Sequence, residues 1–386
     1  MGRARQLTVL SMGHLVNDLY GTVLPPLYPI LMRLYGLSYS LVGVYAAAYL
    51  ISSAILQPFF GHVFDRLRPR AMLPLSVLIG GLGVGLLGLV RNYGLSLLCT
   101  AAAGTGSAIF HPVASAYSSY ESRRRGLYFS IFMIAGRVGA LSAPFLTLFL
   151  VGALGFEGLL LLIIPALALQ YFLLKVESGE QVMPNGAGET GQEPLTRPSV
   201  RSVAVLTGLV AVGGVGAHVA ANGVTSFISL LSVSRGLGQE FGGLLLTVHF
   251  FGAILGVPVF GWLSDVRGRY LVTLLVIGLA SSLLTLLPIV DPIWMLLIVT
   301  FQGACFVSMT TLLILIMHEI MPERKGLATS IIYGVALGGG GLSTPLIGYV
   351  IDLGGFFTGY LVLALTGLIS VAPLALVWRI RSRMAR

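Results

Sequence analysis

The sequence predicts an all-α membrane protein of twelve transmembrane helices arranged as two six-helix repeats. Three observations carry this: the poverty of charge, the recurrence of long apolar runs, and an internal match at a constant offset along the chain. Only 10% of the 386 residues are charged and 56% are hydrophobic, whereas soluble domains carry about 25% charge. A water-soluble globular protein is excluded. A bilayer core about 30 Å thick needs about 20 apolar residues per helix, so twelve spans take roughly 240 residues and leave no large extramembrane domain.

The first run, 7–32, follows Arg3 and Arg5 as a leader peptide would, but it continues past Asp18 without a small-residue cleavage pattern, so it reads as a spanning helix. The arginines at 66, 68 and 70 separate a second run, 40–63, from a third, 71–90, and Arg91 precedes a fourth, 95–117. Arg123, Arg124 and Arg125 introduce a fifth, 127–152, and Gly155 with Glu157 introduces a sixth, 157–174. The segment 176–200, rich in Gly, Pro, Glu and Gln, is the only sustained polar stretch and reads as a flexible cytoplasmic linker. It divides the chain into bundles 1–175 and 201–386. The second bundle holds runs at 203–233, 241–263, 270–290, 293–318, 327–351 and 357–378, punctuated by Arg235-Gly236, the basic pair Arg267 and Arg269, Asp291-Pro292, Arg324-Lys325 and Gly354-Gly355. The long runs 7–32 and 203–233 each have room for a tilt or a break.

With both termini in the cytoplasm, nineteen of the 23 basic residues fall in inside loops, three fall outside (Arg33, Arg91, Arg235), and Arg137 lies within a span. The positive-inside rule then fixes both ends of a multi-pass membrane protein in the cytoplasm. The net charge of +9 is dispersed over loops that face anionic headgroups, which removes a nucleic-acid reading and leaves the lipid bilayer as the partner. Cys99 and Cys305 sit in apolar runs and read as small buried side chains.

An offset of 200 aligns Pro58, Gly61 and Asp65 with Pro258, Gly261 and Asp265, and Arg124-Arg125-Gly126-Leu127 with Arg324-Lys325-Gly326-Leu327. Ser130 and Ser330, and Gly139 and Gly339, keep the same register. Two parallel repeats are the arrangement expected of transporters that rock two bundles around a site near the midplane. Gly252, Gly261, Asp265, Arg267, Gly268 and Arg269 resemble the loop signature of the major facilitator superfamily; the first-half copy has Gly61, Asp65, Arg66, Arg68 and Arg70, with Ser52 at the first glycine and Pro69 near the loop glycine. His14-Leu15-Val16-Asn17-Asp18, Leu27-Tyr28-Pro29 and the run from Gly104 to Pro112 resemble the fosmidomycin-resistance branch of that superfamily, with Arg137 where an asparagine is expected. The resemblance implies the major facilitator fold and a proton-coupled antiporter for efflux of a small drug-like compound, an anion among the options, acting as a monomer. Uptake of a small organic anion by proton symport shares nearly every feature.

Ionisable groups inside a span are costly and become functional candidates by default. Eleven residues from Leu7 at 1.5 Å each put Asp18 about 16 Å deep, near mid-membrane, where a carboxylate can load and release protons. His14, Asn17 and Asp18 share one helix face. Arg137 lies at similar depth, either pairing with Asp18 or presenting its planar fork to a substrate. His111 counts about 24 Å from the outer end, toward the cytoplasm, on a polar stripe with Ser107 and Ser115. His218, 200 residues after Asp18, and Asn222 one turn on are the C-half counterparts. Proton coupling is thus expected at Asp18, His14, His111 and His218, and substrate contact at Asn17, Asp18, Ser107, His111, Arg137, His218 and Asn222. A cytoplasmic gate is expected at Gly61, Asp65, Arg66, Gly252, Gly261, Asp265, Arg267 and Arg269, with Gly61 and Gly261 allowing close helix approach.

Gly83-Val84-Gly85-Leu86-Leu87-Gly88 matches a dinucleotide fingerprint, but it lies mid-span without a strand and is better explained by helix packing. His318-Glu319 opens a zinc-protease pattern that ends in Pro322, and no P-loop is present. No cofactor or metal is expected. A membrane-embedded enzyme acting on a lipid would explain intramembrane His and Asp, yet predicts neither the repeat nor the paired loops.

Overall fold

The computed structural model describes residues 3–67, 71–118, 125–177 and 200–384, and every regular element among them is helical. The first half contains α1 (Arg3–Gly21), α2 (Leu24–Tyr35), α3 (Tyr39–Leu67), α4 (Met72–Leu86), α5 (Tyr93–Ser118) and α6 (Arg125–Leu154), then a 3-10 segment (Phe156–Leu162) leading into α7 (Ile163–Glu177). The second contains α8 (Val200–Ser234), α9 (Gly238–Arg267), α10 (Arg269–Ser282) and α11 (Pro292–Ile320). There α12 (Lys325–Ser330) continues through a π-turn (Ile331–Leu337) and α13 (Gly338–Leu342) into α14 (Thr344–Met384). Gly355, at φ 72°, breaks α14 and separates the eleventh span from the twelfth. Helix is forced here, because a backbone in hydrocarbon must satisfy its own polar groups. The Gly/Pro-rich linker lies almost wholly outside the described residues, as do Arg68, Pro69, Arg70, Arg123 and Arg124.

The first span is not one helix. It breaks between Gly21 and Leu24, where Pro25 and Pro26 supply no N–H to continue the ladder. The Thr22 hydroxyl shares its proton among the carbonyls of Asp18, Leu19 and Ala140, 3.1–3.3 Å away. By contrast α8 runs unbroken for 35 residues.

Large apolar side chains such as Phe145, Phe149, Ile164, Leu346 and Ile369 lie exposed on the outside of the bundle, while His14, Asn17, Ser107, His218, Asn222 and Gln302 are buried within it. That inversion of the soluble pattern suits lipid as the outer solvent. The three tryptophans, Trp262, Trp294 and Trp378, are exposed near span ends, where interfacial belts form. The glycine run in α4 behaves as packing: a Cβ on Gly83 would lie 2.6 Å from Ala103 N, and one on Gly85 2.4 Å from Ile163 Cγ1.

The two halves meet at the sparsely charged end. There the Asp352 carboxylate accepts hydrogen bonds from the Tyr39 and Ser40 amides at 2.8 and 2.9 Å, so an acid of the second half caps the N-terminus of α3 in the first. Arg33 donates to Gln239 (3.0 Å), Thr344 donates to the Gly43 carbonyl (2.9 Å), and Tyr39 meets Phe356 edge-on. Gly348 and Gly43 leave no room for a Cβ against Tyr39 and Thr344. The seam continues inward through Leu50 against Gly341 and reaches Ala54 beside Gly338. Among the described residues, these contacts between the halves gather at the sparsely charged end.

A carboxylate at a helix N-terminus contributes about 0.3–1 kcal/mol when exposed, which sets the expected weight of the Asp352 cap. Asp352→Asn should raise the population separated at this end by about two- to fivefold. Spin labels at Leu34 and Glu240, with Cys99 and Cys305 replaced, read that separation. An unchanged distance distribution would remove Asp352 as a latch.

Candidate functional site

On α1, His14, Asn17 and Asp18 project from one face into the bundle. The His14 ring is buried, stacks on Phe132 at 4.2 Å between centroids, and meets His111 edge-on at 5.4 Å. Its Nδ1 donates to the Phe132 carbonyl at 2.8 Å, and its Nε2 lies 3.4 Å from Asp18 Oδ2. The other carboxylate oxygen lies 3.6 Å from His111 Nε2 on α5. The Asn17 amide donates to Asp18 Oδ1 at 3.1 Å and stands 3.4 Å from His111 Nε2.

What lets α6 close over this cluster is the absence of side chains. A Cβ on Gly136 would lie 2.6 Å from both Asp18 Oδ2 and His14 Nε2, and one on Gly139 would lie 1.9 Å from the Leu15 carbonyl oxygen. Gly136, Gly139, Ala140 and Ala143 thus form a packing stripe that seats α6 against the backbone of α1. The site is nevertheless open on one flank: the Asp18 side chain keeps 19% and His111 33% exposure although both lie deep in their spans.

Arg137, the next residue on α6, does not pair with Asp18. Among the described residues no ion pair within 4.0 Å is formed by its guanidinium, and Asp18 keeps company with the two histidines instead. Arg137 lies near Asp18, His111 and, from the second half, Tyr333. Tyr333 stands on the π-turn, a distortion often found at functional positions. Ser107 is buried, and the Tyr49 hydroxyl lies against Gly21 of α1, 2.6 Å from where a Cβ would stand. Tyr49 and Tyr333 were not singled out by the sequence; tyrosines in apolar runs carry no distinguishing spacing.

The depth count needs correction. It separates His111 from Asp18 by about 10 Å, yet the structure places them in contact, because the count assumes upright, unbroken helices. His218 does not join the cluster: it is buried in its own half, with Nδ1 donating to the Gly214 carbonyl (2.8 Å) and Nε2 3.2 Å from Thr310 Oγ1. Asn222, also buried, reaches the Leu337 carbonyl at 3.5 Å.

At the arginine-rich end Gly268 takes φ 92°, which explains the loop glycine, and its N–H bonds the Ser264 carbonyl. Arg269 binds Glu319 on α11 at 2.6 Å and stands 3.9 Å from Asp265. Glu319, discounted in the sequence as half of a failed zinc motif, is therefore the principal partner of Arg269. Gly252 is a close-approach site, where a Cβ would lie 1.9 Å from the Thr300 carbonyl oxygen; Gly261 faces open space and Gly61 only an ordinary contact with Pro112. The expectation that Gly61 and Gly261 bring helices together is thus corrected: that work falls to Gly252 and Gly256. Arg66 and Arg267 are exposed, and the side chain of Asp65 lies outside the described residues.

The profile of the Major Facilitator Superfamily matches residues 10–243 and 210–386. The fosmidomycin resistance protein of Escherichia coli (strain K12) is 26% identical over 353 residues, covering 90% of this chain and 86% of that protein. Among solved structures, the D-xylose-proton symporter superposes with a TM-score of 0.74 at 15% identity, covering 96% of both chains. The nucleoside transporter NupG gives 0.71 at 16%, covering 97% of this chain and 99% of that one.

Gly139→Ala places a methyl group inside the α1–α6 seam and should cost about 1–3 kcal/mol. Its apparent Tm in detergent should fall by several degrees, whereas Gly261→Ala, which meets open space, should melt like the parent. Equal melting of the two variants would contradict the seam.

Proposed function

This chain belongs to the major facilitator superfamily, and from that premise we propose that it is a proton-coupled exporter of a small acidic compound, working by alternating access in the inner membrane. It is a transporter rather than an enzyme. The observation that carries the finer reading is the partly exposed His14–Asp18–His111 cluster beside Arg137, whose guanidinium forms no ion pair among the described residues. The relative named for fosmidomycin resistance supports export of a drug-like compound. Bundles 1–175 and 201–386 rock about the midplane site, with 176–200 as a cytoplasmic tether. One chain supplies the whole site, so a monomer suffices.

The electrostatics constrain what such an exporter carries. A plain anion on Arg137 binds best when Asp18 is protonated, which couples anion and proton in the same direction. Exchange requires the reverse: proton loading must eject the cargo. A compound with an acidic group for Arg137 and a hydrogen-bond donor for ionised Asp18 meets that requirement, since protonating the carboxylate removes its acceptor. Ser107, Asn17 and Tyr333 complete the lining, and His218 with Asn222 braces the second half. Asp265, Arg269 and Glu319 latch the cytoplasmic loop, with Gly252 holding the α9–α11 seam. The same linkage favours a second reading, uptake symport of a simple organic anion.

Proteoliposome flux under an imposed pH gradient distinguishes these, using fosmidomycin-like phosphonates beside unrelated drugs. Asp18→Asn should stop gradient-driven flux while counterflow persists, and Arg137→Gln should weaken acidic substrates by at least about tenfold through loss of a charge-assisted pair. Proton-driven flux at the parent rate in Asp18→Asn would end the coupling role.

Orientation is tested separately. With Cys99 and Cys305 removed, a cysteine at Gly354 should react with an impermeant thiol reagent in intact cells and one at Gly186 should not. The opposite pattern would invert the topology.

A further inference from the structure

The His14–Asp18–His111 cluster contains a conflict that its hydrogen bonds leave standing. The Phe132 carbonyl can only accept, so Nδ1 of His14 carries the hydrogen; in the neutral ring Nε2 is then a bare lone pair. That lone pair faces Asp18 Oδ2 at 3.4 Å, acceptor against acceptor. On the other carboxylate oxygen, His111 Nε2 stands at 3.6 Å, and the two share one Asn17 amide as fellow acceptors. Three electron-rich atoms from two helices thus converge within 4.8 Å of one another. A positive charge belongs between them.

We propose that this cluster binds one divalent transition-metal ion, held by Nε2 of His14, the Asp18 carboxylate and Nε2 of His111. The inference rests on reading the cluster as the coupling site, where metal and proton compete for the same lone pairs. Two imidazoles and a carboxylate suit Zn2+, Co2+, Ni2+ or Fe2+, whereas Mg2+ and Ca2+ take oxygen ligands. Two ligand atoms each about 2.1 Å from a tetrahedral ion lie roughly 3.4 Å apart, and His14 Nε2 and Asp18 Oδ2 already stand at 3.4 Å. The bond from the far nitrogen of His14 to a main-chain carbonyl is the outer contact that fixes tautomer and ring plane in metal-binding histidines. Gly136 leaves the flank of the pair bare, since any Cβ there would lie 2.6 Å from both ligand atoms. The partly exposed His111 leaves the fourth position facing the space between the halves, beside Arg137. A chelating oxyanion of the cargo is the ligand that fits there, touching metal and guanidinium together.

The test uses the full chain in lipid nanodiscs titrated with Co2+ alone, read by visible d–d absorption and by bound metal per chain. One Co2+ per chain is expected, with Tm rising with Co2+ concentration and not with Mg2+. His111→Gln and Gly136→Ala should each weaken binding by at least about tenfold, and the exposed His62→Gln should bind as the parent does. Absence of stoichiometric Co2+, or binding that survives Asp18→Asn combined with His111→Gln, overturns the site. If those variants do not fold, the parent's Co2+-dependent Tm decides alone, and its absence overturns the proposal. Proton-driven flux in a protein that binds no Co2+ overturns the metal and leaves the coupling reading standing. Co2+ bound by a protein without proton-driven flux upholds the metal and removes that reading.

Discussion

Ionised groups must be kept in company where the surrounding solvent is hydrocarbon, and the rest of the structure is arranged around one instance of that constraint. Asp18 cannot stand alone mid-span. Two imidazoles and an amide gather round it, and α6 is brought over them on a stripe of glycine and alanine. The break after Gly21 belongs to the same arrangement, because the Thr22 hydroxyl, one turn past Asp18, donates to the carbonyls of Asp18 and Leu19 and to that of Ala140 on α6. The seam is close, and the flank at His111 is partly exposed.

The repeat is repeated as packing and broken as chemistry. Gly139 lies against Leu15, and 200 residues later Gly339 lies against Val215. Yet Gly214 stands where the first half has His14, Ala336 stands where it has Gly136, and those two residues touch in the second half. His218 in the place of Asp18 is consequently satisfied by its own helix and Thr310. The polarity is therefore concentrated on one wall of the space between the halves. The opposite wall contributes Tyr333 from a π-turn.

The two ends of the molecule are held by different chemistry. At the sparsely charged end, Asp352 caps a helix of the other half, and glycines at 43 and 348 bring backbones together. At the other end, Arg269 ties Asp265 to Glu319 within one half, and Gly268 sets the loop that positions it. The first latch joins the halves and the second braces one of them, so only the first opposes their separation directly.

The sequence by itself determined the solvent, the twelve spans, the repeat and the membership of His14, Asn17 and Asp18 in one site, since low charge, run length and i, i+4 spacing are local properties of the chain. It allowed a tilt or break in both long runs, 7–32 and 203–233, and only the first is broken. Only the tertiary structure decided which groups face one another. Arg137 is open between pairing and binding in the sequence, and among the described residues it forms no ion pair while Asp18 sits with His14 and His111. His111 was set too far from Asp18 because depth along a helix omits tilt. Gly261 was given a packing role that belongs to Gly252, because a glycine's neighbour lies on another helix. Asp352, Glu319, Tyr49 and Tyr333 could not be read at all: each acquires its meaning from a partner dozens to hundreds of residues away, and that distance is closed only by packing.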